Sequence, residues 1–271
     1  MKLSYQTNTW GGVVGHPAGV TSVKDLFYLA YGSTEQALRE ISALGYQGFE
    51  MFDGNLVAYE TEKDVFRSLL QETGLKFVAV YTGASFIFPD ILPEELWRIR
   101  RAAEMAGEFG VEYLVVGGGA LRAAGILEDD YARLAYGLSQ VDEIARRNGL
   151  TACYHPHHGT LIETSQEITR IMALTSIGLC PDTGHIQEGG SDPIEIIRSF
   201  GDRIPYIHLK DYRDGKFLPL GQGSVDIIGI IRALNSIDYA GWVTAELDTY
   251  AGSSKEAAEI AIRYLKSITK I

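Results

Sequence analysis

Tyr154-His155-Pro156-His157-His158-Gly159, Pro181-Asp182-Thr183-Gly184-His185, Ile207-His208-Leu209-Lys210-Asp211 and Thr244-Ala245-Glu246-Leu247-Asp248 follow one another along the chain, each just past a short run rich in β-formers. Five of the six histidines fall in the first three clusters. Neutral imidazole and carboxylate are the side chains that hold divalent transition metals. Such groups at the ends of four successive strands converge only if those strands are parallel and adjacent. The pattern therefore implies a fold and a site together.

Working outward, short β-branched or aromatic runs alternate with longer amphipathic ones throughout the chain. The strands are predicted at Lys2–Asn8, Gly48–Phe52, Lys76–Tyr81, Tyr113–Gly117, Thr151–His155, Gly178–Pro181, Tyr206–Leu209 and Trp242–Glu246. Helical patterns lie between and after them, at Ser33–Leu44, Glu62–Thr73, Pro93–Phe109, Glu128–Asn148, Ser165–Thr175, Asp192–Phe200, Val225–Asn235 and Ser253–Thr269. Ser33-Thr34-Glu35-Gln36 has the form of a capping box, and Pro93 stands where a first-turn proline belongs. Gly45, Gly74, Gly110 and Gly149 each follow a helical run, as helix-stopping glycines do. Eight strand–helix units without a long structureless gap favour an α/β fold, a closed (β/α)8 TIM barrel, over an open sheet. At 271 residues and with no low-complexity linker, the whole of 1–271 reads as one barrel domain. The irregular stretch from 11 to 31 follows the first strand and is expected to form a lid.

Barrels carry their chemistry at the C-terminal ends of the strands, where all four clusters fall. His155 and His157 are two residues apart in an extended segment and face the same side, which suits one metal ligand and one substrate contact. His158 points the other way and reads as structural. Asp182 before Thr-Gly is either a ligand or a turn cap. Glu246 is either a ligand or a surface acid. Lys210 follows His208 at even spacing and so faces inward, either to steady an enolate or protonate a leaving hydroxyl, or to pair with Asp182 or Glu246. Asp211 and Arg213 are expected in surface pairs.

Gly117-Gly118-Gly119 lacks the spacing of a dinucleotide fingerprint and reads as a permissive loop. Gly221-x-Gly223 sits where barrels bind phosphate, but a plain turn explains it as well. Trp10, Tyr81 and Phe86 are open to either a sugar wall or core packing.

Composition narrows the partners. The net charge is −11 and the sequence pI is near 5.0, so the surface repels a phosphate backbone and nucleic acid is not expected. No apolar run approaches the roughly 20 residues of a membrane span. The start, Met1–Asn8, turns polar too soon for a secretory signal. The two cysteines, Cys153 and Cys180, lie in apolar strand-like runs and read as buried free thiols. The cytoplasm is the expected compartment. A small sugar or cyclitol is the expected partner, and a homo-oligomer is left open.

The sequence resembles the xylose isomerase-like barrel superfamily, the sugar phosphate isomerase/epimerase group. The matching motifs are Asp182-Thr183-Gly184-His185, His208-Leu209-Lys210-Asp211, Gly221-Gln222-Gly223-Ser224-Val225-Asp226 and Gly241-Trp242-Val243-Thr244-Ala245-Glu246. Within that group, Tyr154-His155-Pro156-His157-His158-Gly159-Thr160 is most similar to the inosose (2-keto-myo-inositol) dehydratases. The likeness runs from about Thr151 to Glu246. It implies metal ligands at Asp182, His208 and Glu246, and it sets His155 where the family keeps a Glu, giving two nitrogen and two oxygen donors. It favours Mn²⁺ or Co²⁺, with Zn²⁺, Fe²⁺ or Mg²⁺ open. It also implies that His185 contacts the substrate or the outer shell of the metal, a turn-stabilising histidine being the alternative. Glu50 matches the strand-2 acid of the family and is expected either as a general base or as a capping or salt-bridging residue.

A divalent ion gripping vicinal oxygens of a keto-polyol eases loss of the α-proton and stabilises the resulting enediolate. The expected activity is a metal-dependent carbon–oxygen lyase dehydrating a keto-polyol such as 2-keto-myo-inositol. Isomerisation or epimerisation of a keto-sugar is the runner-up, followed by a lyase on 3-keto-glycosides. A sugar- or metal-binding barrel without turnover is the non-enzymatic alternative. A DNA-repair endonuclease shares the fold, but the acidic charge counts against it.

Overall fold

The computed structural model describes residues 1–11 and 27–269, so the lid expected over 11–31 lies for the most part outside the described residues. Eight strands form one parallel sheet: β1 (Lys2–Gln6), β2 (Gly48–Phe52), β3 (Lys76–Ala84), β4 (Tyr113–Gly118), β5 (Thr151–Tyr154), β6 (Gly178–Leu179), β7 (Tyr206–Leu209) and, after a hairpin of β8 (Asp211–Arg213) with β9 (Lys216–Leu218), β10 (Trp242–Ala245). Their order is β6-β5-β4-β3-β2-β1-β10-β7. The barrel closes between the two ends of that order through a parallel bridge from Asp182 to His208, with the His208 N–H donating to Pro181 O at 3.0 Å. β6 is shorter than its apolar run suggests because Pro181 has no N–H to continue the ladder. The closing contact thus falls on two of the residues singled out as ligands.

The outer ring comprises α1 (Thr34–Ala43), α2 (Asp53–Val57), α3 (Lys63–Thr73), α4 (Leu92–Glu108), α5 (Glu128–Arg147), α6 (Ser165–Leu174), α7 (Thr183–Glu188), α8 (Pro193–Phe200), α9 (Ile227–Ser236) and α10 (Ser254–Ile268). The short α2 and α7 and the hairpin are additions to the sequence reading; each grows out of a loop at the mouth and is too brief to show a periodic pattern. β1 stops at Gln6, where the chain turns into a 3₁₀ turn over Thr7–Thr9, earlier than expected. The expected stops at Gly45, Gly74, Gly110 and Gly149 all adopt left-handed φ, between 65° and 86°.

Ser33 forms only half of its capping box. Its hydroxyl accepts the Gln36 N–H at 3.1 Å, but the Gln36 amide turns to Glu40 instead of reaching back. A complete box forms at Thr164 and Glu167.

Apolar side chains pack in two places. The larger cluster lies between strands and helices; the smaller fills the barrel with Val78, Tyr81, Val115, Cys153, Cys180, Tyr206 and Trp242. Both cysteines are free and buried, as expected. Trp10 and Phe86 are core residues: Trp10 packs edge-on to Tyr5 and bonds Glu40, and Phe86 lies against Gly137. Only Tyr81 of the three aromatic candidates reaches the site, edge-on to His155 at 5.3 Å. No helix among the described residues is long and apolar enough to cross a membrane.

Candidate metal centre and active site

Four side chains converge at the C-terminal ends of β5, β6, β7 and β10, with His208 inside β7 and the other three just past their strands. His155, Asp182, His208 and Glu246 each offer one ligand atom, all within 4.8 Å of one another. His155 Nε2 lies 3.4 Å from Asp182 Oδ2, and His208 Nδ1 lies 3.9 Å from that oxygen and 3.3 Å from Glu246 Oε2. Donors about 2.1 Å from a tetrahedral ion stand roughly 3.4 Å apart, so this spacing fits a divalent cation. His208 Nδ1 and Glu246 Oε2 are buried without a hydrogen-bond partner, an arrangement that native proteins avoid unless something binds there. Charge points the same way, because the buried acids Glu50, Asp182, Glu246 and Asp248 outnumber Lys210, the buried lysine among them.

Asp182 divides its oxygens between two tasks. Oδ1 accepts the His185 N–H at 2.9 Å and caps α7, while Oδ2 faces the imidazoles. The sequence left ligand and cap as alternatives; the cap forms through one oxygen, and the other oxygen remains directed at the imidazoles.

Lys210 is fully buried and its Nζ lies 2.9 Å from Asp248 Oδ2, 3.2 Å from Glu246 Oε1 and 3.1 Å from His185 Nε2, over the Phe217 ring at 4.4 Å. Burial acts to lower its pKa, but Asp248 and Glu246 outweigh that and hold the ammonium charged. Burial likewise acts to raise Glu246, yet Lys210 and His208 keep its carboxyl well below the usual range. Asp248 is pushed up to about 7, by burial first and by Glu246, against the pull of Lys210. Asn8 joins the two acids, its amide donating to Glu246 Oε1 at 2.9 Å and to Asp248 Oδ1 at 3.3 Å.

The hydrogen-bond partners assign the tautomers of the two remaining imidazoles. Lys210 has only protons to give, so His185 Nε2 accepts and its proton sits on Nδ1. His157 Nδ1 donates to the His158 carbonyl at 2.6 Å, which leaves its Nε2 with a free lone pair. The two rings pack against each other with centroids 3.6 Å apart and planes tilted by 35°. Burial, then the charges of His155 and Lys210, push His157 down to about 4, so it is a neutral imidazole at neutral pH. His158 turns to the rim and pairs with Glu163 at 2.9 Å.

A cavity of about 610 Å³ opens beside these groups, lined by His157, His185, Asp248, Phe217, Pro219 and Tyr250 among others. The β8–β9 hairpin forms its wall. That size is ample for a six-carbon polyol.

Asp211, expected at the surface, is buried instead. Its carboxylate accepts the N–H groups of Tyr212, Gly221, Gly223 and Val225 at 2.8–3.1 Å. The Gly221-x-Gly223 segment is therefore a turn wrapped on Asp211, with its amides already spent. Asp211→Ala is expected to cost about 3 kcal/mol by stranding these donors. Urea unfolding measures it, and a loss under about 1 kcal/mol would show that the turn holds without Asp211.

The sequence reading passed over Asn8, Asp248 and Phe217. Asp248 follows Glu246 at even spacing, and Asn8 lies just past β1, so the rule that found Lys210 could have found both. Phe217 arrives on a hairpin that leaves no periodic signal.

A parallel eight-stranded barrel with mixed nitrogen and oxygen donors gathered at its C-terminal mouth defines a barrel enzyme with a candidate metal centre. The chain belongs to the xylose isomerase-like TIM barrel family, whose pattern matches residues 38–268. It is 30% identical to the inosose dehydratase of Geobacillus kaustophilus over 87% of this chain and 90% of that one. Among solved structures it superposes on a zinc-bound IolI protein with TM-score 0.78, 20% identity and coverage of 100% and 99% of the two chains. A D-allulose 3-epimerase from Methylomonas sp., in complex with D-allulose, gives TM-score 0.78 at 18% identity, covering 99% and 97%.

Proposed function

We propose that this protein is a metal-dependent carbon–oxygen lyase that dehydrates a keto-polyol of the 2-keto-myo-inositol type. The observation that carries the reading is the convergence of His155, Asp182, His208 and Glu246 beside the free lone pair of His157. The inosose dehydratase relative supplies the substrate class.

His155, Asp182, His208 and Glu246 would hold the cation, and their mixed donor set suits Mn²⁺ or Co²⁺, with Fe²⁺ and Zn²⁺ also compatible. When bound, the ion supplies Lewis-acid charge that polarises the carbonyl of the substrate and acidifies the neighbouring C–H. His157 Nε2 takes that proton, being unprotonated at neutral pH and set at the cavity wall. Lys210, held in place by Glu246 and Asp248, would turn its third N–H from His185 to the departing β-hydroxyl, which leaves as water. His185 accepts from the ammonium on one side and packs against His157 on the other, fixing the distance between base and acid. Tyr81 and Phe217 press the imidazoles into place and limit water around them. The buried free thiols Cys153 and Cys180 agree with a reducing, cytoplasmic setting.

Incubating the metal-loaded protein with 2-keto-myo-inositol tests the reading. The expected product is a diketone absorbing in the near ultraviolet. No such product, with solvent deuterium entering a ketose instead, would move the assignment to an isomerase or epimerase. His157→Gln is expected to lower kcat/KM by about 10²–10⁴-fold with metal content unchanged. Undiminished activity in that variant would remove His157 as the base.

A further inference from the structure

Glu50 matches the expectation of a general base in sequence, yet it is fully buried and one of its oxygens is taken up by another side chain. Its Oε2 lies 2.9 Å from His208 Nε2. The other nitrogen of the same ring, Nδ1, has no hydrogen-bond partner and faces Glu246 and Asp182. One edge of the imidazole is thus committed to Glu50 and the opposite edge to the ligand cluster. The ring is not free to turn over, because Tyr206 packs edge-on to it at 5.6 Å and His155 at 4.9 Å.

We propose that Glu50 is a positioning residue for the metal centre: it keeps the proton of His208 on Nε2, so that the Nδ1 lone pair is presented to the cation. It also adds a third negative charge, delivered through the imidazole, to the two that Asp182 and Glu246 supply directly. This inference rests on the metal-centre reading above. A carboxylate behind a metal-binding histidine fixes its tautomer and raises its strength as a donor, and removal of such a partner typically weakens affinity by about 10–100-fold.

The test is the affinity of the folded protein for Zn²⁺ alone, measured by competition with a chelator, in the parent, Glu50→Gln and Glu50→Asp. Glu50→Gln is expected to bind about 10–100-fold more weakly, and Glu50→Asp, which keeps the charge but retracts it, to fall between. The Co²⁺-loaded variants should also show shifted ligand-field absorption. Parent-like affinity in Glu50→Gln overturns the proposal. So does parent-like affinity combined with loss of substrate proton exchange, which is the signature of a general base. If Glu50→Gln does not fold, Glu50→Asp decides alone, and an affinity equal to the parent's again overturns the proposal. Retention of metal by Asp182→Asn would sink the metal-centre reading itself. Loss there, with full affinity in the Glu50 variants, would sink only the present inference.

Discussion

Asp182→Asn is expected to give a folded barrel that retains no divalent ion and dehydrates 2-keto-myo-inositol more than about 1,000-fold more slowly. The reason lies in how the carboxylate is divided. Oδ2 stands 3.4 Å from His155 Nε2 and 3.9 Å from His208 Nδ1, at the centre of the ligand set. Oδ1 caps α7 through the His185 N–H. Asparagine keeps an oxygen for the cap while its amide, neutral and partly a donor, cannot hold the cation. Asp182→Ala should lose the metal as well and, in addition, about 1 kcal/mol of stability from the uncapped helix. Metal content after desalting, kcat/KM and thermal melting separate the two tasks. A metal-loaded, active Asp182→Asn protein would sink the metal-centre reading and leave Asp182 as a cap alone.

The largest expected effect on stability is at Arg98, outside the site. Arg98 reaches from α4 to Asp53 at the start of α2, and both side chains are buried. The guanidinium also bonds Thr82 Oγ1 and the Gly83 carbonyl, while Asp53 accepts the Tyr28 and Gly54 N–H groups at 2.8 Å. One ion pair therefore ties a helix, two strand ends and the chain returning at Tyr28. Arg98→Leu leaves a buried carboxylate without its counter-charge and is expected to cost about 3–5 kcal/mol, read by urea unfolding. The double variant Asp53→Asn with Arg98→Leu should recover much of the loss, because no charge is then stranded.

The loss should depend on pH in a definite direction. Burial raises the Asp53 pKa above the ordinary 3.8, and Arg98 is what opposes that rise. Below pH 3.8 the carboxyl is protonated both folded and unfolded, so it adds no penalty. The penalty grows as pH climbs through the folded-state pKa, which lies higher still without Arg98. Arg98→Leu should accordingly be less destabilised at pH 4 than at pH 7. An equal loss at both pH values, or one under 1 kcal/mol, would mean that the pair contributes little.

The fold was legible because its signals are local. The barrel strands appear close to where β-branched and aromatic runs place them, and four glycines stop helices where their spacing says. The ligand candidates were legible for the same reason: strands alternate their side chains, parallel strands end at one mouth, and chemistry-bearing residues at the C-terminal ends of β5, β6, β7 and β10 must then meet. Elements of five or six residues such as α2 and α7 fell below the length at which a period can be read. Asp211 was misplaced at the surface because three of its four amide partners, the Gly221, Gly223 and Val225 N–H groups, lie ten to fourteen residues further along the chain.

By itself, then, the sequence determined the barrel and which side chains gather at its mouth, since each follows from residue type and spacing along one segment. Tertiary structure alone decided what each polar atom does there. Glu50 and His208 are 158 residues apart, and their contact depends on the side chains of β2 and β7 meeting inside the closed barrel. The split of the Asp182 oxygens, the tautomers of His157 and His185, and the clamp of Asn8 and Asp248 depend likewise on directions across the barrel. A linear pattern records which groups arrive at the mouth; only closure fixes which way they face.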